Sequence, residues 1–278
     1  MSLLMSIFLG IVQGVAEFLP ISSSGHLAIF QNFFKMENIE ESHMFFDVLL
    51  HLGTLVSVFI VYRQDIVDMF RAVVDMFRKD LHKSENPPPE EKGRLAIMII
   101  VATLPLVLIL PVKGYIEQLS GNSTFIGISL LITGCILFIS DKLAHGRKTE
   151  KSMTIVDALI VGVTQAIATV PGLSRSGLTI TAGMCSGFTR QFAVRFSFLM
   201  SIPAILGANL ISLVSALQGG VDWSYMPVYL VGVVVAAVVG YFAIRLVKIL
   251  VTSDKFGKFS YYCWAVGILT IILSFFMG

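Results

Sequence analysis

Apolar residues run along this chain in long blocks that do not alternate with polar ones as barrel strands do. Six blocks, at roughly 44–62, 95–112, 124–140, 196–217, 226–250 and 259–277, are each long enough to cross about 30 Å of hydrocarbon as a helix. Two more apolar regions are interrupted. The first, about 3–34, breaks at FLPISSSGH, and the second, about 155–190, breaks at VPGLSRSG. Each holds a helix-length piece, a Pro/Gly/Ser break and a second piece too short to span, which predicts a re-entrant helix pair. Non-helical backbone at membrane depth persists only where protein or a wet cavity satisfies its N–H and C=O groups.

The two breaks read as copies. Laid over each other at an offset of 152, residues 10–25 and 162–177 match at Gly10/Gly162, Gln13/Gln165, Ala16/Ala168, Ser22/Ser174, Ser24/Ser176 and Gly25/Gly177. The matches include polar residues, which membrane composition does not supply freely. The order is then broken segment, three spans, broken segment, three spans. An odd number of spans turns the second half upside down, the inverted-repeat pattern in which paired broken helices meet near the midplane. The expected fold is an all-α polytopic membrane protein: six transmembrane helices plus two re-entrant helix pairs in an inverted-topology repeat. It is one integral membrane domain, with repeat 1 about 1–140, repeat 2 about 152–278 and 63–94 as a cytoplasmic loop.

Composition agrees with that class. Of 278 residues 55% are hydrophobic and 14% charged, with mean hydropathy +0.83, against about 25% charged in soluble domains. Charge placement adds orientation: 17 of the 20 Lys and Arg residues fall in connections that the repeat puts on one side, leaving Lys35, Lys113 and Arg175. That side is cytoplasmic by the positive-inside rule, so both termini are expected outside. The start of the 63–94 connection, YRQDIVDMFRAVVDMFRKDL, suits an interfacial helix or a plain extension of the preceding span, and SENPPPEEKG reads as a solvated linker. Cys135, Cys185 and Cys263 lie far apart, with no CxxC and no metal spacing, and are expected as small core residues without disulfides. No removable signal peptide is expected.

Joining the breaks would gather Gln13, Glu17, Ser22, Ser23, Ser24, His26, Ser174, Arg175 and Ser176. An ionisable residue within the membrane is costly and marks function by default. Gln13 and Glu17 share one helix face; Glu17 suits a base or a metal ligand. Arg175 lies in a Ser-Arg-Ser-Gly turn opening a short helix, where N–H groups, hydroxyls and a guanidinium fork suit a phosphate. The first copy has Ser23 in place of the arginine, a nucleophile beside Glu17 and His26. A clamp on one side and acid–base groups on the other fit phosphoryl transfer. A lone Glu–Arg pair would read first as structural; the clustering in duplicated breaks turns the reading to catalysis. Asp47 and His51 in FDVLLHLGTL form another i, i+4 pair and are expected to support the site without a catalytic role. Asp157 suits a helix N-terminus.

QGVAEFLPISSSGH and PGLSRSG, with FDVLLHLGTL and FSFLMSIPAILGA, resemble the signature stretches of the undecaprenyl-diphosphatase family, the bacitracin-resistance proteins, over nearly the whole chain. The resemblance implies removal of the terminal phosphate of undecaprenyl diphosphate, recycling the carrier lipid for cell-wall synthesis, with bacitracin resistance as a consequence. It implies Ser23 as nucleophile, His26 as acid or base, and Arg175 as the essential arginine holding the diphosphate with Ser174 and Ser176; Gln13, Ser22, Ser24 and Gly177 of the same turns are expected to bind substrate too. It also implies a divalent cation, Mg2+ or Ca2+, with Glu17 as its main acid, because Gln13 is the neutral variant of the motif's first acid. Direct attack by water stays open beside Ser23, and a lipid-phosphate transporter is the rival function. The expected partners are a prenyl diphosphate lipid and the bilayer, with no nucleic acid; a homodimer is left open.

Overall fold

In the computed structural model, residues 1–33, 40–77, 90–142, 145–218 and 221–277 are described. The architecture is all-helical among them. Twelve α-helices follow in chain order: α1 (Leu3–Phe18), α2 (Ser23–Phe33), α3 (Glu40–Val61), α4 (Arg63–Phe77), α5 (Glu90–Thr103), α6 (Lys113–Gln118), α7 (Ser123–Ser140), α8 (Ile155–Ile167), α9 (Arg175–Cys185), α10 (Arg190–Gln218), α11 (Met226–Thr252) and α12 (Phe259–Met277). Five stretches are long and apolar enough to cross a membrane: Glu91–Gly121, Ser123–Ser140, Arg190–Gln218, Trp223–Thr252 and Phe256–Phe276. A sixth arises if α3 and α4, bent by 82° at Tyr62, are taken together. Their outward faces are apolar, as lipid contact demands: Leu108, Leu210, Val234 and Phe275 are all more than 60% exposed.

Both broken regions fold as two short helices around a turn. α2 and α9 begin and end at positions 152 apart, and α1 and α8 begin at that same offset. The caps match as well. Ser22 Oγ accepts from the Gly25 N–H at 3.1 Å, and Ser174 Oγ accepts from the Gly177 N–H at 3.2 Å. Such a cap satisfies one of the four orphan donors at a helix start. The turns differ in one respect. Positive φ falls on Gly172 in the second break and on Ser22, at φ 70°, in the first. Ser22 therefore carries a left-handed strain that Gly172 avoids.

Packing buries most of α9 and one face each of α1 and α8 against the longer helices. α1 lies along α11, α8 along α5, α9 against α10 and α7, and α7 along α12. Close approach depends on small residues: a Cβ on Gly10 would come within 2.5 Å of Gly232 O, and one on Gly162 within 2.3 Å of Ala102 O. At the entry to α8, Thr154 and Asp157 form a reciprocal capping box, and Lys148 Nζ donates to Asp157 at 2.8 Å.

Two expectations need correction, and at the start of the 63–94 connection the structure has the separate-helix alternative. Residues 63–77 form α4, a separate amphipathic helix turned from α3, and Asp65 there accepts from Lys92 and Arg195, each at 2.6 Å. Most of the SENPPPEEKG linker lies outside the described residues. The block at 95–112 is not one α-helix. It changes at Leu104 to a 3-10 stretch reaching Val112, because Pro105 and Pro111 bring no N–H and clash with an α-helical ladder. Cys135 and Cys185 are exposed, and only Cys263 is buried; all three are free thiols.

Candidate active site

The two breaks open on one cavity of about 660 Å3. Glu17, Ser22, Ser23 and Ser24 line it from the first break, and Ser174 and Arg175 from the second. Further walls come from α3 (Asp47, His51), from the 3-10 stretch and α6 (Leu106 to Glu117), and from the Pro203–Ser212 part of α10.

Glu17 is the hub. Its Oε1 pairs with the Arg175 guanidinium. Its Oε2 accepts from Ser23 Oγ at 2.8 Å and from Gln13 Nε2 at 3.0 Å, and lies 3.7 Å from His51 Nε2. The geometry follows from local structure. Glu17 lies in the last turn of α1, Ser23 begins α2, and Arg175 is the first residue of α9 just after its Ser174 cap. The carboxylate is thus buried with both oxygens accepting, one from a cation, which is what a buried charge requires.

The other expected site residues divide. Ser22 and Ser174 line the cavity but spend a hydroxyl acceptor on capping; Ser24 and Ser176 lie 3.4 Å and 3.3 Å from them. Ser176 Oγ donates to Leu19 O at 3.2 Å, tying the second break to the first. Gly177 spends its N–H on the Ser174 cap, and a Cβ there would meet Pro20 at 3.1 Å. Gln13 sits behind Glu17, fully buried, with Oε1 unpartnered among the described residues. His26 is not among the cavity-lining residues. Its Nδ1 meets Ser22 O and its Nε2 meets Tyr262 OH, both at 2.8 Å, with the two rings stacked.

The histidine on the cavity is His51. Its Nδ1 lies 2.8 Å from Asp47 O, an acceptor, so Nδ1 carries the proton and Nε2 faces Glu17. The i, i+4 pairing of Asp47 and His51 was the signal for it. Gln165 also lines the cavity, 1% exposed, with neither amide atom partnered among the described residues. It occupies the position of Gln13 in the second copy, but Thr169 stands where the first copy has Glu17.

The donor set does not fit a divalent cation held by the protein. Among the described residues no three His, Cys, Asp or Glu side chains gather as ligands, and both oxygens of Glu17 already accept from Arg175, Ser23 and Gln13. Ca2+ takes about six to eight oxygen ligands, whereas Mg2+ is usually held by one or two carboxylates with substrate phosphates and waters, so Glu17 builds no cation cage from protein ligands alone. The metal role expected of Glu17 from the resemblance thus rests on no preformed cluster of protein ligands among the described residues.

The family model for bacitracin resistance protein BacA matches residues 6–269. The chain is 38% identical to an undecaprenyl-diphosphatase of Methanosphaera stadtmanae, covering 99% of each chain. It is 40% identical to one of Halothermothrix orenii, covering 96% of each. Identity is also 40% to one of Alkaliphilus metalliredigens, covering 97% of this chain and 98% of that one. The chain belongs to the BacA family.

Proposed function

We infer that this BacA-family chain is an undecaprenyl-diphosphatase, a multi-pass membrane hydrolase that converts undecaprenyl diphosphate to undecaprenyl phosphate and inorganic phosphate. It thereby recycles the carrier lipid for cell-wall synthesis and gives bacitracin resistance. One observation carries the catalytic reading: Ser23 Oγ donates to the same buried carboxylate that pairs with Arg175. A hydroxyl and a base from one break and a guanidinium from the other share one cavity.

In the proposed first step the Ser23 hydroxyl proton passes to Glu17 while Oγ bonds the terminal phosphorus. The bridging P–O bond breaks, and undecaprenyl phosphate leaves. Arg175 turns its fork to the phosphoryl oxygens as Glu17 takes up the proton and loses its charge. Water then bonds the phosphoserine phosphorus as the P–Oγ bond breaks; Oγ regains the proton from Glu17, and both water hydrogens leave on the inorganic phosphate as dihydrogen phosphate. Ser22, Ser24 and Ser174 offer hydroxyls to the diphosphate, with Gln13, Ser176 and Gly177 holding the turns in place. For His26 the role proposed is to fix the α2 turn through Ser22. A divalent cation, Mg2+ or Ca2+, would supply neutralisation of phosphate charge, with Glu17 the acid nearest to it.

The proposed membrane arrangement is six spans and two re-entrant pairs in inverted repeats, both termini outside. The equal 152-residue offsets of the short helices and of their serine caps support it. The cluster at Lys92, Asp65, Arg195 and Glu150 lies at the end proposed as cytoplasmic.

The test is phosphate release from undecaprenyl diphosphate by the purified protein in detergent, with and without chelator. Chelator-sensitive release lost in Ser23→Ala and in Arg175→Ala supports the mechanism. Loss in Arg175→Ala alone assigns the attack to water, and a folded protein that binds the lipid without releasing phosphate is a transporter.

A further inference from the structure

We propose that Lys113 is the receiving cation for the substrate's diphosphate head group at the rim of the cavity, a role that rests on the phosphatase reading above. The cavity is graded from floor to rim. The side chain of Glu17 is 4% exposed, that of Lys113 31%, and that of Glu117 62%. Arg175 at the floor is already neutralised by Glu17. Lys113 is the other Lys or Arg on the wall, and its links are loose: 3.3 Å to Glu117 Oε1 and 3.5 Å to Ser212 Oγ. A half-exposed i, i+4 ion pair in water contributes little and exchanges readily for a more highly charged anion.

Its position suits a lipid phosphate. Lys113 begins α6 where the 3-10 stretch ends. Leu106, Val107 and Leu110 of that stretch face the cavity together with Ile205 and Ala208 of α10, an apolar slot beneath a cation. A prenyl diphosphate has the matching halves. The charge pattern of the chain points the same way. Seventeen of the 20 basic residues belong to the proposed cytoplasmic connections, and Lys113 is an exception that borders the cavity. An ammonium is a point charge on a flexible stem, suited to a head group in transit, whereas the Arg175 fork suits one held in place.

The measurement is a KM-against-kcat comparison on the full-length protein for undecaprenyl diphosphate, with equilibrium binding of farnesyl diphosphate measured alongside. Lys113→Gln is expected to raise KM and weaken binding about tenfold while kcat stays within about twofold, the scale of one charged hydrogen bond. Lys113→Arg is expected to restore both, and Glu117→Gln to lower KM by freeing the ammonium. Unchanged KM and binding in Lys113→Gln overturn the proposal, as does an equal loss in Lys113→Arg. Were the wild type to release no phosphate, the phosphatase reading would fall, and the binding arm would still decide on Lys113.

Discussion

Glu17, buried, and Arg175, partly buried, form an ion pair across 158 positions of the chain, joining the end of α1 to the start of α9. Removing one partner of such a pair strands the other charge, at a cost of about 3–5 kcal/mol, while replacing both by apolar groups is often neutral. Glu17→Gln and Arg175→Met should each lower the thermal unfolding midpoint in detergent, and the double variant should recover much of it. None of the three should release phosphate. Additive midpoint losses would mean that the two groups do not act as a pair.

Arg175→Lys separates charge from geometry. The ammonium keeps the charge but loses the two-pronged match to phosphate. The expected result is a fall of about a hundredfold or more in kcat/KM, with stability near wild type. Steady-state kinetics beside an unfolding scan read both; near-wild-type turnover would argue that Arg175 acts only as a counter-ion to Glu17.

Ser22 combines a helix cap with φ of 70°. Glycine relieves the left-handed strain and is tolerated as a cap, whereas alanine relieves nothing and loses the cap. Ser22→Gly should leave the unfolding midpoint close to wild type, and Ser22→Ala should destabilise by about 1–2 kcal/mol. Equal midpoints for the two variants would contradict the strained cap.

Gln165 holds an amide with no partner among the described residues at a cavity wall. A buried unsatisfied amide costs about 1–3 kcal/mol, so Gln165→Leu should raise the unfolding midpoint of the substrate-free protein. A lower midpoint would show that the amide is satisfied.

The α1–α11 contact depends on glycines. A Cβ on Gly14 would lie 2.8 Å from Ala236 O and 2.9 Å from Val239, whereas one on Gly121 meets nothing within 4 Å. Gly14→Val should sharply reduce the folded yield in membranes, and Gly121→Ala should express as wild type. Comparable yields would exclude close helix contact here.

The sequence alone determined the class and most of the helices, since a run of apolar residues must form a helix in hydrocarbon to satisfy its backbone. It also determined where the chain breaks, because Pro20, Gly172 and the serines cannot continue a helix cheaply, and the repeated turn marked both breaks as related. Glu17, Ser23 and Arg175 were readable from their chemistry as charges and hydroxyls at membrane depth. Only the tertiary structure decided which polar groups meet. His26 turns to Tyr262 on α12, and His51, from a helix between the two breaks, takes the place beside Glu17. Gln13 finds an acid and Gln165 does not, although their helices begin alike. The 82° bend at Tyr62 likewise appears only in the fold, where it decides between a separate helix and an extension of the span. The physical reason is that hydrophobic pattern constrains a helix by its own neighbours. The rotation of one helix against another is set by close contacts such as Gly162 on Ala102, made between residues far apart in the chain.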